Sequence, residues 1–146
     1  MRSEQRRQGQ LLDRCWSLYL ALTEVFALPE TFHSDFPAAA EAAVLTGALH
    51  IVIPLGEQLT LSVREEYTVT EQSVEVRRYS YNVIDPHGVN LLRADNLPHH
   101  RTDYRRRPLS HPPHHIHDQR GRVLSFSGQI QDFLRAAQGL LPSPTR

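Results

Sequence analysis

Between Leu49 and Val69 apolar residues fall at every second position: Leu49, Ile51 and Ile53, then Leu59, Leu61, Val63, Tyr67 and Val69. A period of two belongs to strands with one buried face, because successive side chains point to opposite sides of a sheet. A helix, with its period of 3.6, would scatter these residues around its circumference. A turn at Leu55 to Glu57 divides the run, so two antiparallel strands are predicted. A second turn near Thr70 to Gln72 leads into SVEVRRYSYNVI, a third strand. The stretch DPHG, Asp85 to Gly88, is a tight-turn signal: proline presets one angle and glycine takes the positive one. VNLLRADN then reads as the fourth strand, and a further strand is expected at Arg122 to Phe126.

The flanks read as helices. Leu12, Trp16, Tyr19, Leu22 and Phe26 recur at three- and four-residue spacing, predicting an amphipathic helix over Leu11 to Phe26 that Pro29 ends. Asp35 ahead of Pro37 predicts a capped start for a short second helix through AAAEAAV. Ser127 predicts the cap of a last helix, with Ile130, Phe133, Leu134 and Ala137 on one face and Gly139 past its end. The expected fold is therefore α+β: a four- to five-stranded antiparallel meander with an N-terminal, a short second and a C-terminal helix packed on it. At 146 residues, one domain is expected over 1–141, with 142–146 a flexible tail.

Asp95 to Asp118 breaks this pattern. It reads DNLPHHRTDYRRRPLSHPPHHIHD and holds six of the nine histidines, with prolines at 98, 108, 112 and 113. Proline this dense argues against a continuous helix or a central strand, so an ordered loop or partly extended arm is expected. The charge is uneven too. The chain is neutral and contains no lysine, but Arg93 to Arg122 carries seven arginines against three aspartates. A local positive field in a neutral protein suits a polyanion site, and guanidinium grips phosphate with a two-pronged donor set. The one cysteine, Cys15, excludes an intrachain disulfide and suits a reducing cytoplasm. No apolar run reaches the ~20 residues of a membrane span, and the charged N-terminus is unlike a secretion signal.

Several residues could carry chemistry. Alternation puts Glu65 on the core face of the second strand, where a carboxylate needs a partner; Arg78 is one candidate, and a bulge that turns Glu65 to solvent is another. Arg93 and Asp95 share a face of the fourth strand, which delivers them to His99 and His100. His114, His115 and His117 lie within four residues, with His115 and His117 on one face of an extended chain. Imidazoles this dense allow two readings. One is proton transfer near neutral pH beside phosphate-binding arginines, the way RNA is cut without a metal. The other is a divalent metal held by His114, His115 and His117, although the spacing matches no standard zinc finger. No cofactor motif is present. Arg101, Arg105, Arg106 and Arg107, with Tyr104, read as a backbone-binding patch, and Tyr79 and Tyr81 as rings able to stack bases.

YSYNVIDPHGVNLLRADNLPHH followed by HPPHHIH resembles the TumE-type toxins of prokaryotic toxin–antitoxin systems. The matching positions are Tyr79, Ser80 and Tyr81; Arg93, Asp95, Asn96, Pro98, His99 and His100; and His114, His115 and His117. A glutamate on the preceding strand falls at Glu65 or Glu66. Ile116, Leu97 and the long arginine run depart from the family pattern. The resemblance implies a cytoplasmic toxin restrained by an antitoxin, with action on RNA plausible. Three functions follow: an endoribonuclease using His100 with His115 or His117, Glu65, Arg93 and Arg78; a metal-dependent phosphoesterase or nucleotidyltransferase using the histidines and Asp95; or a non-catalytic RNA- or partner-binding module. Oligomeric state is open, because the N-terminal helix could seat a second copy.

Overall fold

The computed structural model describes residues 2–34 and 46–141. Helix α1 (Arg2–Val25) comes first, followed by a helical stretch at residues 30–34. Strands β1 (Ala48–Leu55), β2 (Leu59–Val69), β3 (Val74–Ile84), β4 (Asn90–Asp95), β5 (His115–His117) and β6 (Val123–Ser125) follow, then helix α2 (Ile130–Gln138). The cap expected at Asp35 and the helix through AAAEAAV lie outside the described residues.

The strands form one antiparallel sheet of six in chain order, β1 to β6. Four or five were expected. The extra strand is β5, inside the proline-rich segment, and it is central, flanked by β4 and β6. Its prolines end at Pro113, so the three residues His115 to His117 are free to donate to both neighbours.

One face of the sheet meets both helices. Leu61, Val63, Tyr81, Val83, Leu92 and Ala94 point there and are buried. From α1 the buried set is Leu11, Cys15, Leu18, Ala21 and Leu22. The predicted stripe is therefore turned: Trp16 is 44 % exposed and packs edge-on against Tyr19. Arg14 explains the turn. It lies three residues after Leu11 and four before Leu18, on the buried side, where its guanidinium reaches Glu65 with contacts of 3.0 and 2.7 Å. The helix rolls to make that ion pair. At α2 the N-cap is Gln129, without a side-chain cap bond, and not Ser127, whose Oγ accepts the Gln129 amide and donates to Asp132; Gly139 ends the helix in right-handed rather than left-handed conformation.

Burial raises the Cys15 thiol to about 11. Thiolate is the reactive form. Cys15 is therefore expected to resist alkylation at pH 8 in the folded chain and to react fully in denaturant, a contrast that mass spectrometry reads directly.

The same turn recurs three times. Asp85, Asp103 and Asp118 each accept, through Oδ1, the amides two and four residues on. The residue three on takes a positive φ: Gly88 at 80°, Arg106 at 63° and Gly121 at 73°. Arg107 and Arg122 return their Nε to the aspartates that start their turns, at 3.0 and 2.7 Å. Arg106 alone bears a side chain in the left-handed region, a strain glycine does not feel. Arg106→Gly is expected to stabilise the protein by about 0.5 kcal/mol, net of the added chain entropy, visible as a higher urea midpoint.

Candidate functional site

The face of the sheet away from the helices is polar. Cross-strand register lines up His50, Arg64, Ser80, Asp95, His115 and Ser125 in one row, one residue from each strand. The next row holds Ser62, Asn82, Arg93 and His117. Directly opposed residues lie ~5 Å apart, so Arg93, Asp95, His115 and His117 form a square at the β4–β5 seam.

Asn96 brings the first histidine motif over that square. Its Oδ1 accepts the Tyr79 amide at 3.0 Å and its Nδ2 donates to the Arg77 carbonyl at 3.0 Å. The side chain thus continues the β3 ladder where β4 stops, and the chain turns back across the open face. His99 and His100 then sit against His115, with ring centroids 5.6 and 4.8 Å from it, and His100 lies 5.3 Å from His117. His115 and His117 are 5.0 Å apart. Two motifs separated by more than ten residues in sequence therefore share one place beside Arg93.

Asp95 and His115 are the floor of the cluster, 1 % and 0 % exposed. Asp95 Oδ1 accepts the Leu97 amide at 3.0 Å, and Oδ2 accepts Arg93 Nε at 3.1 Å. His115 Nδ1 donates to the Pro113 carbonyl at 2.9 Å, since a carbonyl only accepts. Its Nε2 lies 3.2 Å from Asp95 Oδ1, yet the geometry is not that of a hydrogen bond, leaving a buried nitrogen without one. The His100 and His117 rings titrate below the ordinary imidazole value, first because burial disfavours the cation and next because of the neighbouring His115 ring.

Other expected site residues lie elsewhere. His114 precedes β5 by one residue and so faces the helix side. Its ring stacks on Tyr79 at 5.7 Å, its Nδ1 is 2.9 Å from the Tyr79 hydroxyl, and it packs against Gly128. The trio His114, His115 and His117 is split by the strand. Tyr79 and Tyr81 stack on each other at 4.5 Å and are 3 % and 1 % exposed, so neither offers a face to a base. Glu65 is buried on the helix side as well. Register does shift in β2, but between Glu66 and Tyr67, one residue too late to turn Glu65 out. Its partner is Arg14, not Arg78, with the Tyr67 and Tyr81 hydroxyls donating to the same carboxylate.

Arg78 stands on the open face opposite Glu66. With Arg64, Ser80, Arg93, Asp95 and Leu97 it lines a cleft of about 100 Å³. Arg101 to Leu109 is a small hairpin, bridged at Thr102 and Pro108, and the Tyr104 amide ties it to the Val123 carbonyl of β6. The arginine run is its tip. Arg107 is held by Asp103, and the guanidinium groups of Arg105 and Arg122 lie over the Tyr104 ring at 5.2 and 4.9 Å. Arg101 and Arg106 are exposed.

Arg14 and Arg64 were not foreseen. A charged residue spaced between Leu11 and Leu18 on an apolar face was the available signal for Arg14. For Arg64, it was alternation, which sets it opposite Glu65 and beside Glu66.

No helix among the described residues is long and apolar enough to cross a membrane. No curated protein and no solved structure matches the chain. The family model described as Toxin TumE matches residues 22–140, a span that includes every residue of the histidine cluster, the three arginines of the cleft and Asp95 beneath them. The chain belongs to the TumE toxin family.

Proposed function

We propose that the chain is the toxin of a toxin–antitoxin pair, held in check by its antitoxin, and that it acts by cleaving RNA on the open face of the sheet. One observation carries this reading: both histidine motifs converge on Asp95 and Arg93 at the end of a cleft that also presents Arg64 and Arg78. In the reaction the ribose 2′-oxygen attacks the adjacent phosphorus and the bond to the 5′-oxygen breaks. The products are a 2′,3′-cyclic phosphate and a 5′-hydroxyl. His100, partly open to solvent, takes the 2′-proton. His99, exposed and 4.9 Å from His100, returns one to the leaving oxygen. Arg93, Arg78 and Arg64 hold the phosphate oxygens as negative charge builds. Asp95 and His115 lie beneath and fix Arg93 and the rings.

Expression without the antitoxin is expected to arrest growth, and His100→Ala to relieve the arrest. The purified protein should release RNA fragments ending in 2′,3′-cyclic phosphate. Equal growth of wild type and His100→Ala would count against the reading. A toxin that merely occupied RNA would keep its effect in that variant and lose it with substitutions at Arg105, Arg106 and Arg107.

A further inference from the structure

We propose that Asp95, His115 and His117 hold one first-row transition-metal dication of the Zn²⁺ class, with a coordination position left open toward His100. One ligand atom from each of the three lies within 4.8 Å of the other two. The carbonyl of Pro113 claims the Nδ1 proton of His115, which leaves Nε2 as the bare, ligating nitrogen. That nitrogen is wholly buried, has no hydrogen-bond partner, and lies 3.2 Å from Asp95 Oδ1. Two acceptors facing each other in a buried site repel, and a cation between them removes the conflict. The spacing also suits one: in a tetrahedral site with bonds of about 2.0 Å, neighbouring ligand atoms are about 3.3 Å apart.

Asp95 is free to serve. Oδ2 is engaged by Arg93, while Oδ1 accepts the Leu97 amide and has a second lone pair toward the cluster. The carboxylate is thereby oriented by two donors, as ligating carboxylates are. Two imidazoles and one carboxylate suit zinc, cobalt, nickel or ferrous iron rather than calcium or magnesium, which take mostly oxygen. A site with three protein ligands keeps room for a water or a phosphate oxygen. His99 and His100 cover that opening and remain available for protons. This deepens the RNA-cleavage reading, because the metal would act as Lewis acid on the phosphate that the arginines hold, but the binding itself stands apart from it.

The test uses the full chain, stripped with chelator and titrated with Zn²⁺ and with Co²⁺ alone. One equivalent is expected to bind, Co²⁺ giving visible absorption bands, and the melting temperature is expected to rise with metal. His117→Ala removes a half-buried ligand at a strand end and is expected to weaken binding more than about 100-fold. Asp95→Asn should do the same, and exposed His111→Ala should bind as wild type. His115→Ala carries no weight by itself, since it opens a cavity in the floor. Failure of wild type to take up Co²⁺, or wild-type affinity in His117→Ala and Asp95→Asn, overturns the proposal. Cleavage of RNA by metal-free protein in chelator would overturn the Lewis-acid role given to the metal and leave the RNase reading standing. Stoichiometric metal without RNA cleavage would support the site and sink that reading.

Discussion

Glu65→Ala is expected to cost the fold about 3–5 kcal/mol, a large share of what a domain of this size has. The carboxylate is 1 % exposed and accepts from four donors: Arg14 Nε, Arg14 Nη2, and the hydroxyls of Tyr67 and Tyr81. Both tyrosines are almost fully buried, so without Glu65 their hydroxyls lose the acceptor and cannot turn to water. Each such orphan costs about 1–3 kcal/mol. Burial and the neighbouring carboxylate together push both phenols far above their ordinary range, so they stay neutral donors. Arg14 is less constrained; its side chain is 26 % exposed and its guanidinium can swing outward. Glu65→Gln keeps an acceptor and is expected to cost less than Glu65→Ala. In urea, at a slope of about 2 kcal/mol per molar, Glu65→Ala should lower the midpoint by roughly 2 M. The Arg14→Met and Glu65→Ala changes should be strongly non-additive in a double-mutant cycle. A Glu65→Ala midpoint within a few tenths molar of wild type would show that the network contributes little.

That network sits behind the site rather than in it, and its place shows which parts of the fold were readable in the residues. Alternation at Leu49 to Val69 specified β1 and β2, and with them the face each side chain takes; Glu65 follows Val63 onto the buried side as the period demands. Alternation also put Arg93 with Asp95, and His115 with His117, on shared faces. What it could not supply was long-range register. Whether His100 meets His115 depends on Asn96 replacing a backbone rung at Tyr79 and Arg77, and on β5 pairing with β4 so that His115 faces Asp95. A three-residue strand that follows a proline-rich loop has too few residues to show a period. The same limit hid the division of the second motif: His114 and His115 are adjacent in sequence, and only a strand at that point sends them to opposite sides. Composition misled at Tyr79 and Tyr81, where an aromatic pair beside arginines reads as a stacking surface but faces the helices, and Tyr81 meets Phe133 at 5.5 Å. On α1 two apolar stripes lay one residue apart, and Arg14 decided between them through a partner fifty-one residues away.

Asp95→Asn is expected to lower RNA cleavage by about 10²–10³-fold, the range lost when one preorganised electrostatic group is removed from an active site. The substitution keeps size and removes charge. An asparagine can still accept the Leu97 amide through its oxygen, which holds the turn into the His99–His100 loop. Its amide nitrogen then takes the place of Oδ2 and presents hydrogens to Arg93 Nε, replacing an ion pair by a clash of donors. Arg93, 41 % exposed, is expected to swing away from the cleft and leave the phosphate with one fewer cation. The His115 side loses its anion too, so the rings above it have a less defined floor. Stability should fall by about 1–3 kcal/mol, because the backbone contact survives. Single-turnover cleavage rates measured beside thermal melts separate the two effects. A rate within threefold of wild type in a folded Asp95→Asn protein would show that the carboxylate under the histidines has no part in the chemistry, and the reaction centre would have to be sought away from the β4–β5 seam.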